Sequence, residues 1–181
     1  MDPIQSVRTD ARARAKSIPR VDPETNTLAK RIVARVAFTP VGQWFLRNVS
    51  PHVDPLLVRL SRGWISTVAV TPVVLLTHTG ARSGTRRTTP LLYFTDGDRV
   101  ILIASNYGSS RHPAWYHNVK ANPEVTLSAR GYEGPFIGAE VTGAERERLW
   151  ALATGWLAGY NHYQRSAGRR QIPMLAFTPV N

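Results

Sequence analysis

Hydrophobic positions change their spacing near residue 73. Before it, Leu28, Ile32, Val33 and Val36 recur at helical spacing, with Lys30, Arg31 and Arg35 on the opposite side. Asn26-Thr27 is placed to cap the helix they predict. Pro40 opens a second amphipathic piece, PVGQWFLRNV, and Asp54-Pro55 starts a third, LLVRLSR, that stops at Gly63. After residue 73 the runs become strand-like. VVLLTHT is a continuous apolar strand, and TPLLYFT and RVILIAS flank the hairpin signal Asp96-Gly97-Asp98. HPAWYHNVKAN predicts a short helix with Pro113 in its first turn. EVTLSAR and PFIGAEVTG form a second strand pair around residues 131–134, AERERLWALATGWLAGYNHYQ a C-terminal helix, and IPMLAF a last strand. No internal repeat interrupts this order. Antiparallel strands joined by short turns, with one helix inserted, predict an α+β fold: a small barrel with helices outside.

Residues 1–25 are polar, arginine-rich and broken by Pro19 and Pro23, which suits a flexible basic arm. The expected division is therefore that arm, N-terminal helices over 26–62, and the barrel domain over 63–181. No apolar run approaches the ~20 residues of a membrane span, and the N-terminus lacks the apolar core of a secretory signal. The expected location is cytoplasmic. The basic helices within residues 5–50 carry Val36, Phe38, Trp44, Phe45 and Leu46. Those residues suit either capping the barrel or peripheral attachment to the inner face of the cell membrane.

Charge narrows the partners. The chain has 23 basic and 12 acidic residues, a net +11, and twenty of the basic ones are arginine. An anionic partner follows: nucleic acid, anionic lipid, or a phosphorylated or carboxylated cofactor. No nucleic-acid recognition motif is present, and the aromatic residues sit in apolar contexts, so no nucleic-acid partner is expected. Without cysteine there are no disulfides, thiol nucleophiles or thiolate metal sites.

The candidate chemistry is sparse. GARSG is too short between Gly80 and Gly84 for a P-loop and lacks the following Lys-Ser/Thr. Its backbone N–H groups can still form an anion nest around Arg82, or the turn is an exposed hairpin with solvated arginines. Strand alternation puts Arg87, Thr89 and Leu91 on one face and Arg86, Thr88 and Pro90 on the other. His112 and His117 stand five residues apart with no carboxylate between them, so no metal site is expected. Trp115 and Tyr116 suit helix packing or the walls of a flat ligand's pocket, with Asn118 and Lys120 at its rim. Trp156, Tyr160 and Tyr163 share one face of a continuous helix, as core or as phenols beside a substrate. With no nucleophile elbow and no paired carboxylates, the protein binds something or borrows chemistry from a cofactor.

From about Phe38 to Phe177 the ordered motifs resemble one family. They are TPVGQWFLRNV with DPLLVRLSRG, LLTHTGARSGTRRTTPLLY, DGDRVILIAS, HPAWYHNVKANPEV, and YNHYQ followed by IPMLAF. The family is the deazaflavin-dependent nitroreductases, split β-barrel proteins found chiefly in actinobacteria. The resemblance implies a split barrel of the FMN-binding type that binds coenzyme F-420, a 5-deazaflavin with a phosphate and an oligoglutamate tail. It implies hydride transfer from ring carbon 5 to a small electrophilic acceptor such as a quinone, an activated alkene or a nitroaromatic.

Carried over by motif, Arg82, Ser83, Arg87, Thr88, Thr89, Pro90, Leu91 and Leu92 line the cofactor. Arg82 and Arg87 serve the phosphate and tail, and Thr89 to Leu92 the ring end. Ala104, Ser105 and Asn106, then Ala114, Trp115, Tyr116, His117 and Asn118, complete the site. Tyr160 and Tyr163 match tyrosines on the substrate side of the ring and are the expected catalytic donors, Tyr160 also touching the cofactor. Ala81 departs from a commonly basic position, and Asn106-Tyr107 from a small-or-basic pair. The alternative within this fold is an FMN-binding oxidase or flavin carrier. The expected assembly is a monomer or homodimer.

Overall fold

The computed structural model describes residues 17–23 and 72–180. The helices expected over 26–62, the proposed boundaries at 25 and 62, and most of the basic arm lie outside the described residues, as does the surface suited to a membrane. Six strands follow: β1 Val73–Thr79, β2 Arg86–Asp96, β3 Arg99–Ile103, β4 Glu124–Ala129, β5 Tyr132–Glu140 and β6 Met174–Pro179. Helix α1, Ala114–Ala121, stands between β3 and β4, and α2, Gly143–Trp156, with α3, Gly159–Ser166, between β5 and β6. The strands close into a barrel in the order β1-β2-β3-β6-β5-β4, each pair antiparallel. The expected α+β barrel with outer helices is therefore the observed fold.

Two hairpins set the register. Asp96 and Arg99 are paired across a turn in which Gly97 takes φ +61°, as the Asp-Gly signal predicts. Ala129 and Tyr132 are paired across Arg130 and Gly131, both left-handed at φ 46° and 86°, the conformation a two-residue hairpin needs.

Alternation along the strands divides the apolar residues between two clusters. One draws on all six strands and so fills the barrel: Val74 and Leu76, Tyr93, Val100 and Leu102, Val125 and Leu127, Phe136, Leu175 and Phe177. Trp115 and Val119 of α1 join it. The other takes the outward residues of β2, β3 and β6, namely Phe94, Ile101, Ile103, Met174 and Ala176, and covers them with α2 and α3.

The C-terminal helix expected as one piece is two. Leu157 leaves helical geometry at φ −133°, ψ 92°, between Gly155 and Gly159. Each glycine weakens a helix by about 1 kcal/mol relative to alanine, and the break lets Leu157 bury its side chain beside Trp156. Trp156 therefore closes α2 while Tyr160 and Tyr163 belong to α3. The three meet because both helices pack on one outer face, not because they share one helical stripe.

One feature of the register makes the barrel split. β2 pairs with β1 from Arg86 to Leu92, but with β3 only from Tyr93 to Asp96. Among the described residues, no strand lies against the other edge of β2 from Arg86 to Leu92. Pro90, which has no N–H to donate, is tolerated in this half-paired stretch.

Candidate functional site

At one end of the open edge is the GARSG turn. Gly80 N–H donates to Thr85 O at 2.9 Å, and Gly84 N–H to Gly80 O at 2.9 Å. A Cβ at Gly80 would lie 2.6 Å from Ser83 Oγ, so glycine lets that side chain close over the turn, while Arg87 Nε lies 3.7 Å from the same position. Ala81 N–H is taken by Asn118 Oδ1 at 2.9 Å. The next two N–H groups, of Arg82 and Ser83, have no partner among the described residues. Arg82, Arg86 and Arg87 form no ion pair with a described carboxylate. Adjacent N–H groups and guanidinium groups without a partner among the described residues have the chemistry to cradle an anion.

The strand that leaves this turn presents its residues as alternation requires. Leu91 packs with the interior cluster and Leu92 with the outer one. Thr89 faces His78, while Thr88 Oγ1 lies 3.0 Å from Thr77 Oγ1. The site residues expected between Arg87 and Leu92 therefore point both ways. What they share is the open edge, where the backbone groups of alternate residues have no strand partner among the described residues.

Helix α1 lies across the turn. Trp115 is in the barrel interior, Ala114 and His117 are exposed, and Asn118 is buried. Tyr116 Oη donates to Glu140 Oε2 at 2.9 Å, which Lys120 Nζ also reaches at 2.9 Å. Burial and that carboxylate push the Tyr116 phenol up to about 12. His112 and His117 pack around the Tyr116 ring. Among the described residues, no three His, Asp or Glu side chains gather to hold a metal ion.

Beneath the turn sits His78, only 3% exposed, on the inward face of β1 with Val74 and Leu76. Nδ1 is 3.1 Å from Asn118 Nδ2 and Nε2 is 3.1 Å from Thr89 Oγ1. Burial, and then the Arg87 charge, lower its pKa from the ordinary 6.5, so the ring stays neutral in the fold. His112 is lowered in the same direction, by burial and then by Arg170 and His117. A histidine depressed in the fold contributes stability above its unfolded pKa and loses it as pH falls below that value. The melting temperature is expected to decline as pH drops from about 6.5. Melts across pH 7.5 to 5 are expected to show a shallower decline in His78→Gln, and an identical slope would refute the assignment.

The far end of the open edge is built by the segment after β3. Arg170 fastens it: Nε donates to Ser109 O at 2.9 Å, Nη1 to Ala104 O at 3.1 Å and Nη2 to Ser105 O at 2.6 Å. Asn106 Nδ2 donates to Arg111 O at 2.9 Å. Asn106 and Tyr107 both take left-handed backbones, at φ 48° and 53°. Such strain in non-glycine residues concentrates at functional sites. Gly108 follows, where a Cβ would meet Tyr163 O at 3.0 Å, so the segment docks directly on α3. Tyr107 stands edge-on to Tyr163, and Tyr163 to Tyr160, each with ring centres 6.3 Å apart. Burial, then the neighbouring phenols Tyr163 and Tyr107, raise the Tyr160 pKa well above 10. Its hydroxyl has no hydrogen-bond partner among the described residues.

His78, Arg170 and Tyr107 were not among the expected site residues. A polar side chain on the inward face of VVLLTHT was a usable signal for His78. Arg170, one arginine of a polar loop, carried none.

A closed barrel with one open strand edge, basic at one end and phenolic at the other, is a split barrel suited to an extended anion with a flat ring. The family model for F-420H(2)-dependent quinone reductases matches residues 57–179, and the chain belongs to that family. It is 32% identical over 146 residues to the F-420H(2)-dependent quinone reductase of Mycobacterium tuberculosis, an alignment covering 76% of this chain and 97% of that protein. A solved F-420-H2 dependent reductase is 38% identical with a TM-score of 0.54, covering 59% of this chain and 93% of that one. A second solved structure, described as a domain-swapped dimer, is 33% identical with a TM-score of 0.54, covering 69% and 98%. Among the described residues no helix is long and apolar enough to cross a membrane.

Proposed function

We propose that this chain is an oxidoreductase that binds reduced coenzyme F-420 along the open edge of β2 and passes a hydride to a quinone. The observation that carries this is the placement of Arg82 and Arg87, which pair with no described carboxylate, at one end of the open edge and of buried phenols at the other. Arg87 stands five residues before Leu92, which packs against the cluster that holds Tyr160 and Tyr163, roughly 17 Å at the rise of a strand. That span suits a ligand with an anionic tail and a flat ring.

The chain's own groups fit both parts. Arg82, Arg87 and the N–H groups of Arg82 and Ser83 hold the phosphate and glutamates. Residues 88–92, Ala104 to Asn106 and the exposed side of α1 surround the rest, with Leu92 and the tyrosines beside the ring. When bound, the reduced deazaflavin supplies two electrons and a proton as hydride. Tyr160, kept protonated by its raised pKa, donates a hydrogen bond to the acceptor oxygen as negative charge develops there. Tyr163 holds the Tyr160 ring from its edge. The second proton of the hydroquinone comes from solvent.

Titrating the purified protein with coenzyme F-420 and with FMN tests the cofactor. Binding of the deazaflavin alone is expected; tight FMN binding without deazaflavin binding would overturn the proposal. Tyr160→Phe is expected to lower kcat/KM for a soluble naphthoquinone on the order of 10²-fold while cofactor affinity holds. Unchanged turnover would remove Tyr160 from the reaction.

A further inference from the structure

We propose that His78 is a positioning residue. It sets the direction of a hydrogen-bond chain through the cofactor site and thereby fixes the turn that receives the anionic tail. The inference rests on the cofactor reading above.

The chain of bonds has only one consistent polarity. Ala81 N–H can only donate, so the Asn118 oxygen accepts at 2.9 Å and the amide orientation follows. Asn118 Nδ2 then faces His78 Nδ1 at 3.1 Å and donates to it. Nδ1 therefore carries a lone pair, the ring proton is on Nε2, and Nε2 donates to Thr89 Oγ1 at 3.1 Å. Since Thr89 accepts from the ring, its own hydroxyl proton is free to donate elsewhere. Thr89 is half-buried on the half-paired stretch of β2. A chain that starts on a backbone N–H of the GARSG turn thus ends as an O–H donor beside the open edge.

Each link holds a part of the site. Asn118 ties the turn carrying Arg82 and Ser83 to α1, and its amide can do so in one orientation only because His78 accepts from it. A second proton on Nδ1 would put two donors face to face. The charged group acting on the ring is Arg87 of β2, and its partners from α1 and β2, Asn118 and Thr89, are neutral. A phenylalanine at this position would keep the barrel filled but leave Asn118 and Thr89 without the group that orients them. A glutamine offers an acceptor and a donor on opposite sides of one planar group, as the neutral imidazole does.

The test compares affinity for coenzyme F-420 with affinity for a deazaflavin lacking the phosphate and glutamates, and records the melting temperature of each variant. The wild type is expected to prefer the tailed form. In His78→Phe that preference is expected to fall about tenfold, the worth of roughly one lost charge-assisted hydrogen bond. His78→Gln is expected to keep most of it. An unchanged preference in His78→Phe, or an equal weakening toward both compounds, would overturn the inference, because a purely structural role moves both together. A wild type that binds neither compound would instead defeat the cofactor reading itself, and this inference with it. Nitrogen chemical shifts of the His78 ring in the unaltered protein give a second check that needs no variant. A proton on Nε2 and a bare Nδ1 at pH 7 are expected, and a protonated Nδ1 would refute the chain.

Discussion

Replacing Arg82 and Arg87 together by alanine is expected to weaken coenzyme F-420 binding on the order of 10²- to 10³-fold, as two charge-assisted contacts are lost. The reasoning starts from what these side chains lack. Five ion pairs join described residues, and none includes Arg82, Arg86 or Arg87. Their charge is therefore not committed inside the described fold. Arg87 Nε lies 3.7 Å from where a Cβ at Gly80 would stand, beside the turn that holds Arg82. Arg86 is one residue away but on the opposite face, so Arg86→Ala is expected to change affinity by no more than about threefold. Raising the salt concentration should shrink the difference between wild type and the double variant, since exposed charges are screened within about 10 Å at 0.1 M. Fluorescence titrations of the three variants decide this. If Arg86→Ala costs as much as the pair, the ligand follows the other face of β2 and the tail assignment fails.

The features that were legible in the chain are the local ones. Apolar alternation placed the strands, Asp96-Gly97-Asp98 placed a hairpin, and Pro113 placed the start of α1 within a residue. What escaped depends on contacts distant in sequence. β2 starts at Arg86, where the strand was expected to begin, and pairing with β1 carries the polar RRT into the sheet; what was not expected is that β3 does not follow it that far. β3 ends at Ile103, before Ala104-Ser105, because Ala104 N–H bonds to Pro173 O and the chain turns away. That early end of β3 creates the open edge, and it has no signature in local periodicity. The same holds for Arg170, whose role is defined only by carbonyls more than sixty residues earlier. The family resemblance named a contiguous set from Arg87 to Leu92 where alternation alone forbade a shared face. On the half-paired strand the backbone groups of alternate residues lie open beside the side chains, which would let one ligand touch the whole set.

Phe177→Ala is expected to cost about 3–5 kcal/mol of stability, a large share of the 5–15 kcal/mol that holds a domain of this size together. Phe177 is fully buried and pairs with Val100 on one side and Gly138 on the other. A Cβ at Gly138 would sit 2.6 Å from the Phe177 ring and 2.8 Å from Val119 Cγ1, so ring, glycine and helix α1 meet at one point. Gly138→Ala alone is expected to cost about 1–3 kcal/mol by overpacking. In the Phe177→Ala background the added methyl enters the space the ring vacated, so the double variant is expected to be more stable than the sum of the single losses predicts. Urea denaturation of the four proteins measures this coupling, and strict additivity would show that the three groups do not share a contact. The same set probes the link from core to site. Val119 is followed back along α1 by Asn118, the residue that holds Ala81 and His78. Loosening the seat of Val119 should therefore reduce affinity for the tailed cofactor under conditions where the variant remains folded. Retained affinity in a folded Phe177→Ala protein would mean that Asn118 is held by its hydrogen bonds alone.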